Sequence, residues 1–172
     1  MNMKYKNFIN DVPNWPTDGV LFKDITPLLL DSKVFNSVID DISIMISNME
    51  IEPNLIAGIE SRGFIFGAAT SALNGLGFIP VRKKGKLPPP VICIDSTKEY
   101  GTDILEVKVG SGDVLIIDDV LATGGTLKAT EQLLISAGYN VIGAIVIIDL
   151  NYLHDEILIG GKPVKSLIKY DE

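Results

Sequence analysis

Histidine and cysteine are almost absent from this chain: its 172 residues include one of each, His154 and Cys93. A single cysteine excludes an internal disulfide and a cysteine-rich metal site. Arginine is nearly as scarce. The fifteen basic residues are thirteen lysines and only two arginines, Arg62 and Arg82. Of the two residue types, arginine alone offers a planar fork that grips phosphate through paired hydrogen bonds. Long apolar runs are missing too. None approaches the roughly 20 residues needed to span a bilayer, and Met1 to Asn10 lacks the apolar stretch of a secretory leader. There is no surplus of positive charge; the formal charge is −7. Nucleic acid and anionic membranes both demand a basic footprint, so neither is expected as a partner. Any anionic ligand must instead meet a local cluster of donors. A cytoplasmic location follows as the expectation.

What is present is a folding sequence. Apolar residues make up 47% and charged ones 22%, a globular balance, and the length suits one domain with a sizeable core. Val34, Val38, Ile42, Met45, Ile46 and Met49 recur at the three-and-four spacing of an amphipathic helix over 33–49. Short apolar runs at Leu55–Ala57, Gly77–Val81, Val114–Ile117 and Val141–Leu150 predict buried strands. Helices are expected between them, at Gly63–Leu73 and Leu127–Ala137, with Gly138 placed to close the second. This alternation predicts an α/β fold with a largely parallel sheet covered on both faces. Such sheets bind ligands at the carboxyl ends of their strands, which directs attention to the residues after Ala57, Val81 and Ile117. Two segments break the pattern. Residues 1–32 are rich in proline, and residues 82–103 open on a basic cluster and contain Pro88-Pro89-Pro90, as a flexible flap or β-hairpin would. Residues 33–150 form the expected core, and 151–172 a C-terminal segment.

The strongest chemical signal follows the third strand. Asp118 and Asp119 lead into Ala122, Thr123, Gly124, Gly125 and Thr126, and then a helix. Consecutive glycines let backbone N–H groups approach a phosphate with no Cβ in the way. The helix N-terminus adds unpaired donors and a favourable dipole, and the two threonines add hydroxyls. Adjacent carboxylates at a strand mouth can accept hydrogen bonds from a vicinal diol and can hold magnesium through water. No Gly-Lys-Ser/Thr ending makes this a Walker loop, and no Gly-x-Gly-x-x-Gly makes it a dinucleotide fingerprint.

The whole run from Val114 to Thr126 resembles the phosphoribosyl-pyrophosphate (PRPP) signature of type I phosphoribosyltransferases. Trp15 to Leu29 resembles the N-terminal hood of the adenine phosphoribosyltransferase family. Ala57 to Gly67 is similar to that family's pyrophosphate loop, and Pro80–Pro88 with Glu99–Thr102 to its flap. The resemblance covers about residues 10–150 and implies a type I phosphoribosyltransferase fold. It implies transfer of the 5-phosphoribosyl group of PRPP to adenine, giving AMP and pyrophosphate, with Mg2+ as cofactor held mainly by substrate and water. It further implies that Ala122 to Thr126 bind the 5-phosphate, while Asp118 and Asp119 face the ribose. Glu60, Ser61, Arg62, Arg82, Lys83 and Lys86 would surround pyrophosphate, with a cis Glu60–Ser61 peptide. Leu21, Phe22 and Lys23 would recognise adenine, Phe22 by stacking and the other two through the backbone. Glu99 would act as general acid/base, and Tyr100 would help close the flap. The catalytic set is thus Glu99, Asp118, Asp119 and Arg62, and a homodimer is implied.

This chain departs from the family pattern at Ser96-Thr97-Lys98, where an apolar residue usually precedes the flap glutamate, and at Lys23, where many members carry arginine. Another purine base is the nearest alternative substrate, against which the hood argues. A non-catalytic PRPP-binding regulator of nucleic acid is a second alternative, opposed by the acidic charge. Cys93 is read as a small buried hydrophobe, and His154 as an ordinary surface or partly buried histidine.

Overall fold

The computed structural model describes residues 4–98 and 101–172, so Glu99 and Tyr100 lie outside the described residues. The chain opens with an antiparallel pair, β1 (Asn10–Pro13) and β2 (Leu21–Asp24), followed by helices α1 (Thr26–Leu30) and α2 (Ser32–Ser47). Asp31 caps α2, its side chain accepting from the Lys33 and Val34 amides. The alternating core follows: β3 (Leu55–Ile59), α3 (Arg62–Asn74) and β4 (Gly77–Lys83). A hairpin of β5 (Ile92–Lys98) and β6 (Gly101–Val107) interrupts it. Then come β7 (Asp113–Leu121), α4 (Gly125–Ser136), β8 (Asn140–Leu150), the short β9 (Leu158–Ile159) and β10 (Lys162–Pro163), and β11 (Lys165–Tyr170).

Among the described residues, seven strands form one sheet in the order β11-β8-β7-β3-β4-β6-β5. The first five are parallel, and the hairpin joins antiparallel to β4. Strand periodicity divides the core between two faces. Leu115 and Ile117 point to the side covered by α2 and α3, with Ile42 and Phe66, while Val114 and Ile116 point to the side covered by α4, with Leu133 and Leu134. Two-faced cover explains why β8 is buried from Val141 to Leu150.

Three features differ from the sequence reading. Strand β7 does not stop at Ile117; it runs to Leu121 because β8 continues to pair with it, Val120 opposite Ile148 and Leu121 opposite Asp149. Asp118 and Asp119 are therefore strand residues, and the turn begins at Ala122. The C-terminal segment holds a strand that went unread: β11 lies parallel to β8, with Tyr170 opposite Leu150. Cys93 is exposed, not buried. It sits on the edge strand β5, where Cys93 and Asp95 face solvent and Ser96 is buried.

Candidate active site

The carboxyl ends of β3, β4 and β7 open into a cleft of roughly 560 Å³, lined among others by Glu60, Ser61, Arg62, Lys83, Lys86, Asp118, Asp119 and Thr126. At its floor, strand β3 pairs with β7 only as far as Gly58 opposite Ile117. Beyond that point the start of α3 takes the place of a neighbouring strand. Gly63 permits this: a Cβ there would lie 2.8 Å from Asp118 Oδ1 and 2.9 Å from the Ile117 carbonyl. The missing side chain seats Arg62 directly over the acids. The Glu60–Ser61 peptide just before it is cis, as expected.

The two acids are unlike. Asp118 is half-buried and its Oδ1 accepts from the Asp119 amide at 2.9 Å. Asp119 is buried, with Arg62 Nε 2.6 Å from its Oδ2. That contact is ionic without hydrogen-bond geometry, so Oδ2 is buried with no hydrogen bond. Burial, joined by the neighbouring Asp119 charge, pushes the Asp118 carboxyl well above the ordinary aspartate range. Burial pushes Asp119 up too, against the pull of the Arg62 guanidinium. Two carboxylates held close in a dry site resist ionising together, and incoming donors relieve them. Among the described residues no group of three or more His, Cys, Asp or Glu could hold a metal ion. In the cleft a divalent cation would meet the hard oxygens of Asp118 and Asp119 and would draw its other ligands from substrate and water. That donor set suits magnesium.

After the acids comes the turn. Gly124 has φ +81°, and a Cβ on it would lie 1.9 Å from Ile157 Cδ1. Two constraints therefore demand glycine, one conformational and one steric. Helix α4 begins at Gly125, and its first N–H groups have no partner within the helix. Thr126 faces the cleft, and Thr123 is exposed. Behind the turn stands support that no sequence motif announced. Ile157 is buried. Its segment is pinned where His154 Nε2 lies 2.9 Å from Asp149 Oδ1, both side chains nearly inaccessible.

The basic side of the cleft is shaped by carboxylates. Arg82 Nε and Nη2 each donate to Glu60 at 3.3 Å, and Glu60 also accepts from the Lys83 amide at 2.9 Å. Burial alone would raise the Glu60 carboxyl; the Lys83 amide and Arg82 outweigh it and hold it below its usual range. Glu106 on β6 is buried and accepts from the Gly85, Lys86 and Leu87 amides at 3.0, 2.7 and 2.6 Å. The Gly85 amide, against burial and with the help of the other two, holds Glu106 low. The loop carrying Lys83, Lys84 and Lys86 thus hangs on two anions by its backbone, which leaves the ammonium groups at the surface. Lys83 reaches Asp103 at 3.2 Å.

Leu21, Phe22 and Lys23 do not line the cleft; Phe22 and Lys23 join it through Arg62. The guanidinium carbon lies 4.7 Å from the centroid of the Phe22 ring, and Nη1 donates to the Lys23 carbonyl at 3.3 Å. Trp15 meets Phe22 edge to face at 4.5 Å between centroids. The Lys23 side chain, at a position where many family members carry arginine, is almost fully buried.

A cradle of this form, on this sheet, defines a class, and residues 29–168 match the model of the phosphoribosyl transferase domain. Adenine phosphoribosyltransferase of Nostoc punctiforme is 44% identical over 172 residues, covering 98% of this chain and all of that one. The Thermoanaerobacter pseudethanolicus adenine phosphoribosyltransferase crystal structure superposes with a TM-score of 0.87 at 39% identity, over 99% of this chain and 100% of that one. The Saccharomyces cerevisiae enzyme, crystallised with an imino-altritol bisphosphate and adenine, gives a TM-score of 0.83 at 32% identity over 94% and 95%. The chain belongs to the adenine phosphoribosyltransferase family.

Proposed function

We propose that the cleft transfers the 5-phosphoribosyl group of PRPP to adenine, releasing pyrophosphate and giving AMP, with each residue group matched to the part its chemistry fits. The amides of Ala122 to Thr126 take the 5-phosphate, helped by the α4 N-terminus. Asp118 and Asp119 accept hydrogen bonds from the ribose hydroxyls and offer negative potential to the ring as its carbon–oxygen bond to pyrophosphate lengthens. Arg62, Lys83 and Lys86 meet the departing pyrophosphate, with Arg82 and Glu60 bracing that wall and Ser61 beside it. Magnesium bound on the substrate oxygens shares the leaving group's charge. Phe22 stacks on the base while the backbone of Leu21 and Lys23 reads its edge. Glu99 manages the base's proton and Tyr100 closes the flap, both roles resting on the resemblance.

The observation that carries this reading is the seat of Arg62, in contact at once with Asp119 of the acid pair and with Phe22. That one side chain ties ribose, leaving group and base into one compartment. A cytoplasmic location is supported by the single cysteine. A homodimer is supported by apolar surface on α3, where Ile65 and Leu73 are exposed beside Ala68 and Ala72; gel filtration tests it. The activity itself is tested by supplying PRPP and magnesium with adenine, hypoxanthine or guanine in turn. AMP from adenine with little product from the others is the expected result, and no AMP from adenine would sink the proposal.

A further inference from the structure

Lys23 presents a physical problem that its neighbours solve. Its side chain is 3% exposed, and an ammonium taken out of water is costly unless charge or hydrogen bonds compensate. Asp11 Oδ1 lies 2.7 Å from Nζ. Asp11 stands directly opposite Lys23 in the β1–β2 pair, so this contact holds the hood to itself and to nothing else. The second compensating group is the ring of Tyr170, whose centroid is 3.9 Å from Lys23 Nζ; the Lys6 ammonium lies 4.5 Å from the same ring. Burial, and then the Asp11 charge, push the Tyr170 hydroxyl up, so the ring stays a neutral phenol. Tyr170 ends β11 and is fixed in register opposite Leu150 of β8. Its ring is therefore a point where the buried hood cation meets the central sheet.

We infer that Tyr170 is a positioning residue for the base site: its ring holds Lys23, and through Lys23 it orients the backbone and the adjoining Phe22 that face the base. The inference rests on the reading of Leu21 to Lys23 as the adenine hood. A route exists on the page. The Lys23 carbonyl and the Phe22 ring both adjoin the Arg62 guanidinium, which Asp119 holds independently, so a shift of Lys23 moves the hood backbone and the Phe22 ring against a fixed guanidinium. The phosphate turn, built on β7 and α4, makes no use of Tyr170, which predicts an effect on one substrate only.

Three variants separate a cation–ring contact from plain packing: Tyr170→Phe keeps the ring, Tyr170→Leu keeps an apolar side chain, and Tyr170→Ala removes both. Steady-state kinetics with each substrate varied are paired with amide hydrogen exchange over residues 10–24 of the substrate-free protein. Tyr170→Phe should match the parent. Tyr170→Leu and Tyr170→Ala should raise KM for adenine about tenfold, leave KM for PRPP and kcat within about twofold, and speed exchange in the hood. If Tyr170→Leu behaves like Tyr170→Phe, or both KM values rise together, the residue only packs and the inference is overturned. Unchanged exchange in Tyr170→Ala overturns it as well. Should the parent protein make no AMP from adenine, the base-site reading fails by itself. Exchange then decides the clamp alone: faster in Tyr170→Leu than in Tyr170→Phe upholds it, and equal rates overturn it.

Discussion

The proposed phosphate cradle and the proposed base hood meet at Arg62, yet they are held by different means. The cradle is local: Asp118 to Thr126 is one stretch of chain, leaving a parallel strand and entering a helix, and its donors are backbone amides. The hood is assembled from afar, with Phe22 and Lys23 positioned by Asp11, Arg62 and Tyr170. Their electrostatics differ in the same sense. The cradle's acids are pushed up by burial, whereas Glu60 and Glu106, which brace the basic wall, are held down by amides and, for Glu60, by Arg82. A site that binds through backbone shape can be carried by a short motif. One that depends on side-chain placement needs partners scattered along the chain.

The cradle's acids should give the largest effect. Asp118→Asn and Arg62→Ala are each expected to lower kcat by about a hundredfold to a thousandfold, the scale of losing a group that stabilises developing charge; Glu99→Ala should lower turnover similarly if the flap role holds. The hood comes next. Phe22→Ala should raise KM for adenine roughly fivefold to a hundredfold, given about 1–3 kcal/mol per stacked base, and leave KM for PRPP near the parent value. An equal rise in both would erase the division between the two regions. Gly124→Ala should do the reverse, raising KM for PRPP about tenfold because a side chain at positive φ strains the turn and meets Ile157.

The smallest effect is on stability and separates the two sets of carboxyls by sign. A folded carboxyl with a raised pKa holds a proton that the unfolded chain has released, so Asp118 and Asp119 cost stability as pH rises from about 4 through their folded values. Glu60 and Glu106 run oppositely: their contribution is present above about 4.3, the ordinary glutamate value, and is lost as pH falls through their lowered ones. Asp118→Asn should therefore melt higher than the parent at neutral pH, by about 2–4 °C for each kcal/mol relieved, while it is nearly inactive. Glu106→Gln should melt lower. Thermal melts from pH 4 to 8 measure both, and a destabilised Asp118→Asn would break the contrast.

Much of this was legible in the chain itself. The apolar runs at Leu55, Gly77, Val114 and Val141 announced the parallel core because strands covered on both faces need no polar alternation. The cradle was legible for the same reason that it is local. Other parts were not. In β11 only Leu167 and Ile168 are buried, between lysines at 165 and 169, too brief a pattern to mark a strand. Strand β7 outran its apolar run because β8 kept pairing past Ile117, and pairing is not written in either strand alone. The burial of Lys23 against the Tyr170 ring was not legible, since that ring lies 147 positions further on (170 minus 23). Arg82 matched a phosphate position, but it spends two donors on Glu60, a contact between separate elements that spacing does not disclose.

The wedge behind Gly124 bears on how portable this chemistry is. Grafting the run from Val114 to Thr126 onto another α/β sheet would transfer the amides and both acids. It would leave behind Ile157, which fills the space beside Gly124, and the Asp149–His154 pin that keeps Ile157's segment in place. A recipient scaffold would have to bring its own backing, or the turn would collapse into the gap and lose the curvature that points its amides at a phosphate. The transplantable unit is therefore longer than the motif and runs on through β8 to at least Ile157.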